Sequence, residues 1–358
     1  MKPILTLLVA VLLMGGAAAQ PIITGAQHTE QYMPLLVSNH FAVVANHSSL
    51  IGQTHLVDTL MARGLRPARI FCPEHGFRGT AAAGARVNSS IDSASGVEIA
   101  SLYGRHRKPS PDQLSDLFAV VFDLQDVGCR FYTYISTLHY VMQACAEQGV
   151  RLIVLDRPNP NGHYVDGPVM DSDFCSFVGM RAGTPVVYGM TIGEYASMID
   201  SELPSRKPGY GLLVVRLSNY CHDSIYHLPV PPSPALRSPQ AIALYPSLCL
   251  FEATSISVGR GTPFPFEIIG NDGGYKMDLR GIKVPPRFDL SYLREMMAHS
   301  DTATFFLKTN GFERLAGNAL LRRQLLDGRP DDEIRASWEP ALSHFKAYRK
   351  RFLLYPEH

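Results

Sequence analysis

Five short runs of apolar, largely β-branched residues punctuate the first two thirds of the chain: Phe41–Ala45, Ala68–Cys72, Ala119–Leu124, Leu152–Leu155 and Leu212–Val215. Their near-continuous apolar character predicts strands covered on both faces, as parallel strands inside a layered structure are. The stretches between them carry helical spacing, among them Thr54–Arg63 and Thr137–Gln148. In the second, Leu138, Val141, Met142 and Cys145 share a face and Gly149 supplies a stop. Strand, helix and strand in alternation imply right-handed crossovers and an α/β fold built on a doubly wound parallel sheet. A Pro-rich segment, Pro229 to Pro239, breaks the alternation and predicts a boundary between residues 20–228 and a smaller α+β domain at 229–358. Beyond it come a Gly/Pro-rich loop region, Ser255–Gly274, and two helical patterns, Phe312–Leu326 and Asp331–Leu354.

The first 19 residues follow another pattern. Lys2 precedes an apolar core from Ile4 to Met14, and Ala17-Ala18-Ala19 offers small residues before Gln20. That order predicts a secretory signal peptide and a mature protein outside the cytoplasm, in a periplasm. The apolar core is too short to span a hydrocarbon layer of about 30 Å, so no membrane insertion is expected once it is removed. The chain holds 33 basic residues, Lys2 among them, against 32 acidic ones. This balance provides no field to attract nucleic acid. Six cysteines lack any C-x-x-C pair or zinc-like spacing, so most are expected to be buried as small apolar residues, with one disulfide possible in an exported chain.

Polar residues collect just beyond the strands. Asn46-His47-Ser48 follows the first and Pro73-Glu74-His75-Gly76 the second; Asp123 ends the third, which runs into Gln125-Asp126-Val127-Gly128; Asp156-Arg157-Pro158-Asn159 follows the fourth. In an open parallel sheet these positions line the carboxyl edge, where ligands bind. Each is also an ordinary turn composition. Glu74, Asp123, Asp126 and Asp156 bring carboxylates, while Arg78, Arg130 and Arg157 bring forked cations suited to anionic or hydroxyl-rich ligands. Several carboxylates in one cleft suit glycoside hydrolysis, in which one protonates the leaving oxygen and another stabilises or attacks an oxocarbenium-like centre. Tyr132 and Tyr134 offer either sugar-stacking faces or core packing.

Other chemistries have less support. There is no G-x-G-x-x-G after the first strand, no phosphate-binding loop and no G-x-S-x-G elbow. A Cys72 nucleophile with His75, and a metal site from His47, His75 and Asp123, lack supporting spacing, so no metal or cofactor is expected.

The same loops carry a resemblance. Phe71-Cys-Pro-Glu-His-Gly-Phe-Arg-Gly79, Ser101-Leu-Tyr-Gly104, Val121 to Ile135 (VFDLQDVGCRFYTYI) and Val154-Leu-Asp-Arg-Pro-Asn-Pro-Asn-Gly162 closely resemble the exo-β-N-acetylmuramidase family. The likeness continues through Gly189–Tyr195, Pro231–Pro234, Ser257–Thr262 and Phe306–Gly317. It implies a Rossmann-like domain, a smaller C-terminal domain closing the cleft, and release of N-acetylmuramic acid from non-reducing ends of peptidoglycan fragments. By the same resemblance Glu74 is the catalytic acid, with Asp123 and Asp126 as further catalytic carboxylates. Asn46, His75, Arg78, Gln125, Arg130, Tyr132, Tyr134, Asp156, Arg157, Asn159, Glu194 and Arg260 then form the substrate-binding shell. Arg130 or Arg157 is expected to meet the lactyl carboxylate of muramic acid. Thr191-x-x-Glu194 also reads as a helix capping box. Departures fall on the C-terminal side: Glu252-Ala-Thr-Ser255 where Glu-Gly-Thr-Asn is usual, Ala235 where Asn is usual, and a shortened 270–278. A muropeptide-binding protein without catalysis and a metal-dependent hydrolase are the competing readings.

Overall fold

The computed structural model describes residues 20–78 and 90–357; the expected signal segment, residues 1–19, lies outside the described residues. The five apolar runs form strands β1 (Phe41–Ala45), β2 (Arg69–Cys72), β5 (Ala119–Asp123), β6 (Arg151–Leu155) and β7 (Leu212–Val215). Two further strands, β3 (Ser90–Ile91) and β4 (Glu98–Ser101), extend the sheet on one side. Its order is β7-β6-β5-β1-β2-β4-β3, and every pair is parallel except β3 with β4. The chain starts at the centre, builds outward to β4, then returns to the other side of β1. The gap between the β1 and β5 ends is therefore the switch point of a Rossmann-like sheet.

Alternation along each strand divides the core. Val43, Ala45, Val121, Ile153 and Leu155 face helices α1 (Thr29–Leu36) and α2 (Leu56–Ala62). Ala42, Val44, Val120, Phe122 and Val154 face helices α3 (Tyr134–Gln148) and α4 (Ile192–Glu202). Both faces are covered, which is why the runs are apolar throughout. Gly149 ends α3 in the left-handed conformation, φ 73°.

After residue 229 the chain runs without regular structure until Ser238 caps α5 (Pro239–Leu248) by accepting from the Ala241 amide. Hairpin Ile268–Gly270 with Lys276–Asp278 and helices α6 (Ser291–Ala298), α7 (Gly311–Ala316), α8 (Leu320–Leu326) and α9 (Asp331–Arg349) follow. The expected helix Phe312–Leu326 is broken in two. Gly317 turns left-handed (φ 81°), and the Asn318 side chain accepts from the Leu320 and Leu321 amides to restart the helix. The last helix stops at Arg349, short of Leu354. Phe251, Phe305, Phe312, Ile334, Trp338 and Phe345 belong to the same apolar core as the α3 side of the sheet. Arg335 pairs with Asp166 at 2.7 Å, tying α9 to strand Asp166–Val169. All six cysteines are unbridged, four of them buried. Among the described residues no helix is long and apolar enough to cross a membrane.

Candidate active site

A cleft of about 270 Å³ opens between the carboxyl edge of the sheet and the C-terminal region. At the end of β2 the chain passes through two consecutive left-handed residues, His75 (φ 71°) and Gly76 (φ 77°). Such a conformation is costly for a residue with a Cβ. The tight turn sets Glu74 and the largely buried His75 on the cleft wall. The end of β4 supplies Tyr103 and Arg107, and the segment leading into α3 supplies Phe131, Tyr132, Thr133 and Tyr134. Opposite stand Glu252 and Arg260, from the stretch beyond α5, and Phe177 comes from the loop before α4.

Glu74 sits among hydroxyls. Thr133 Oγ1 donates to its Oε2 at 3.2 Å. The Tyr103 hydroxyl is pushed up to about 12 by burial and by the Glu74 carboxylate beside it. Burial also raises the Tyr132 and Tyr134 hydroxyls, and the charge of Glu74 adds to both. Those two rings meet edge to face at 4.6 Å; Tyr132 donates to the Pro232 carbonyl at 2.6 Å, and Tyr134 accepts from Asn46 Nδ2 at 2.7 Å. Both are buried core residues that also contribute to the cleft wall. Asn46 stands behind them as a support. Across the cleft Arg260 pairs with Glu252 at 2.5 Å and covers the Phe266 ring at 5.2 Å.

The structure brings Glu74, His75, Tyr132, Tyr134 and Arg260 together and withdraws the other expected site residues. Asp123 is fully enclosed and spends both oxygens on Arg157, at 2.5 and 2.8 Å; Arg157 also donates to the Leu50 carbonyl. Asp126 lies inside the protein, accepting from Tyr188 and the Gly128 amide. Burial raises its carboxyl to about 7. The expectation that Asp123 and Asp126 act on substrate is therefore corrected. Gln125 donates to the Asp126 and Pro158 carbonyls, and Asn159 to the Met190 carbonyl. Asp156 accepts from Thr191, Gly193, Tyr355 and the Arg157 amide. Glu194 closes the capping box at Thr191 and binds His222 and the Leu354 amide, so its role is structural. Arg130 is buried and donates to the Leu315 and Ala316 carbonyls. Arg78 pairs with Asp92 at 3.0 Å. Most of these side chains lie in the interior and take their partners within the protein, whereas Arg78 is half exposed and held by Asp92.

The resemblance includes the Ser101-Leu-Tyr-Gly104 and Glu252-Ala-Thr-Ser255 segments without giving Tyr103 or Glu252 a site role, and Arg107, Thr133 and Phe177 have none either. Tyr103 follows β4, whose pattern Glu98-Ile-Ala-Ser101 is too short and polar to mark a strand. Glu252 lies after a helix rather than a strand, so the strand-end argument does not reach it. The alternative chemistries fare poorly. Cys72 is buried on the α1 side of the sheet, and burial pushes its thiol up to about 12. Among the described residues no three His, Cys, Asp or Glu side chains gather as a metal would need. A larger cavity, about 630 Å³, lies beside the Pro229–Pro239 segment, with Asp223 the one carboxylate among the described residues that line it. The smaller cleft is lined by two glutamates, Glu74 and Glu252.

Residues 41–240 match the family described as exo-beta-N-acetylmuramidase NamZ, N-terminal, and residues 243–284 and 283–355 its C-terminal counterpart. The chain is 35% identical to the peptidoglycan beta-N-acetylmuramidase NamZ of Bacillus subtilis (strain 168), over 80% of this chain and 79% of that protein. A DUF1343 family protein of Bacteroides fragilis NCTC 9343 has the same fold, with a TM-score of 0.84 and 37% identity over 95% of this chain and all of that one. A second from the same organism, 24% identical over 93% of this chain and 99% of its own length, superposes with a TM-score of 0.80 and speaks for the fold alone.

Proposed function

The chain belongs to the exo-β-N-acetylmuramidase family, and from that premise we propose that it is an exo-acting glycoside hydrolase releasing N-acetylmuramic acid from non-reducing ends of peptidoglycan fragments, with Glu74 as its general acid. The observation that carries the residue assignment is the setting of Glu74. It is a carboxyl group at the carboxyl edge of a parallel sheet, on the wall of a sugar-sized cleft, with hydroxyl partners from Thr133 and Tyr103. Glu74 passes its proton to the glycosidic oxygen as the C1–O bond breaks, and water adds at C1 and returns a proton to the Glu74 carboxylate. Glu252, held by Arg260, is the second carboxyl group of the cleft and supplies negative charge for the oxocarbenium-like centre. Tyr103 gives an aromatic face for the pyranose ring.

Hydrolysis of a chromogenic N-acetylmuramide beside the matching N-acetylglucosaminide tests this reading. The muramide alone should be cut, chelator should change nothing, and Glu74→Gln should lower kcat by about 100- to 10,000-fold. A wild type that binds a muropeptide and cuts neither compound would make the protein a receptor instead. The enzyme acts outside the cytoplasm, in the periplasm, because residues 1–19 have the order of a secretory signal. Mass spectrometry of the protein from the periplasmic fraction should find Gln20 at its N-terminus; a retained Met1 would overturn export by this route.

A further inference from the structure

N-acetylmuramic acid differs from N-acetylglucosamine by one group, a lactyl ether on O3 that ends in a carboxylate. The two arginines that the sequence nominated to receive it are both engaged elsewhere: Arg157 by Asp123, and Arg130 by two carbonyls deep in the core. Two arginines remain on the cleft wall, Arg107 and Arg260. Arg260 already holds Glu252, so an incoming carboxylate would have to compete with a protein carboxylate at 2.5 Å.

Arg107 is differently placed. Its guanidinium lies over the Phe177 ring, 4.4 Å from the centroid. That ring is itself braced by Tyr140 at 6.3 Å and Tyr103 at 6.1 Å. Stacking occupies the face of a guanidinium and leaves the in-plane N–H groups available for the paired hydrogen bonds that suit a carboxylate. No carboxylate among the described residues forms an ion pair with Arg107. It also flanks the acid: the Tyr103 hydroxyl is raised by Glu74 and eased downward by Arg107. Arg107 places a positive charge on the cleft wall that no ion pair among the described residues engages, which favours an anionic sugar.

We infer that Arg107, stacked on Phe177 at the rim of the cleft, is the receptor for the lactyl carboxylate and sets the preference for muramic acid over glucosamine; this rests on the hydrolase reading above. The side chain determines specificity and takes no part in proton transfer. The contact is solvent-accessible, so its worth is at the lower end for a charge-assisted hydrogen bond, about tenfold in affinity.

Ligand-observed NMR titration of N-acetylmuramic acid and its lactyl methyl ester tests the assignment without turnover. The wild type should bind the acid about tenfold more tightly than the ester, and rising salt should shrink that ratio. Arg107→Gln should bring the ratio close to one, with ester affinity little changed, and Arg107→Lys should restore part of it. A merely structural role for Arg107 would weaken acid and ester alike and leave the ratio standing, which overturns the proposal. So does a ratio that survives in Arg107→Gln and collapses in Arg260→Gln. A wild type that discriminates acid from ester yet leaves the muramide uncut sinks the hydrolase reading and keeps this subsite; one that cuts the muramide but binds both ligands equally sinks the subsite alone.

Discussion

At the scale of single residues, Asp123 and Arg157 show how a strand-end carboxylate comes to serve the fold. They stand 34 positions apart in sequence, at the ends of adjacent strands, and their side chains meet where both are enclosed. Removing one partner of such a pair leaves a buried charge without its counterion, at a cost of about 3–5 kcal/mol. Arg157→Met should therefore lower the unfolding free energy by that amount in chemical denaturation, and Asp123→Asn added to it should recover part of the loss. Per folded molecule the variants should still cut the muramide, because neither side chain reaches the cleft. A loss of about 100-fold or more would instead return Asp123 to the catalytic machinery. From sequence alone the two situations look the same, since both place Asp after a β-branched run. What separates them is whether the carboxylate meets solvent or an arginine from the next strand, and that is decided by packing.

At the scale of elements, legibility tracks how strongly burial constrains composition. β1 emerges with its bounds readable because both its faces are covered and every position is apolar, and β7, a half-buried edge strand, because all four of its residues are apolar. β4 escapes notice: its partner β3 carries two exposed residues, and Glu98 and Ser101 dilute the pattern. The capping box at Thr191 is legible, being a local device with a fixed spacing, and its Glu194 does cap α4. The loop Leu124–Thr133 is not. Gly128 takes a left-handed φ of 71°, and a Cβ there would meet the Asn159 side chain at 2.1 Å. The turn after β5 is thus fitted against the turn after β6, and both point their polar groups at each other. Only the far end of the first loop, Phe131 to Tyr134, reaches the cleft. Glu74 is legible through the Cys-Pro-Glu-His-Gly motif just beyond β2, and it lies on the cleft wall. Glu252 is marked by the family motif alone, because the C-terminal region approaches the sheet through contacts with no local signature.

At the scale of the whole molecule, these enclosed acids make stability depend on pH in a direction opposite to ordinary acid denaturation. Burial raises Asp126 to about 7, and one of its oxygens, Oδ1, has no partner, as suits a neutral carboxyl. Asp156, beside Glu194, is likewise raised to about 7. In the unfolded chain both titrate near 4. Between about pH 4 and 7 the folded protein therefore holds protons that the unfolded chain has released, and unfolding stability falls as pH rises across that window, levelling off above it. For Asp126 the loss is on the order of a few kcal/mol. Asn at this position accepts the same hydrogen bonds from Tyr188 and Gly128 and cannot ionise. Unfolding curves taken from pH 5 to 8 should show the wild type losing stability while Asp126→Asn stays flatter, the variant gaining on the wild type as pH rises. Parallel curves would mean that Asp126 stays ionised throughout. The consequence extends to the site, because the loop that Asp126 anchors also carries Thr133 and Tyr134 to Glu74. Because stability levels off above that window, the folded variant should match the wild type in activity at moderate temperature, and the two should separate only where the wild type begins to unfold.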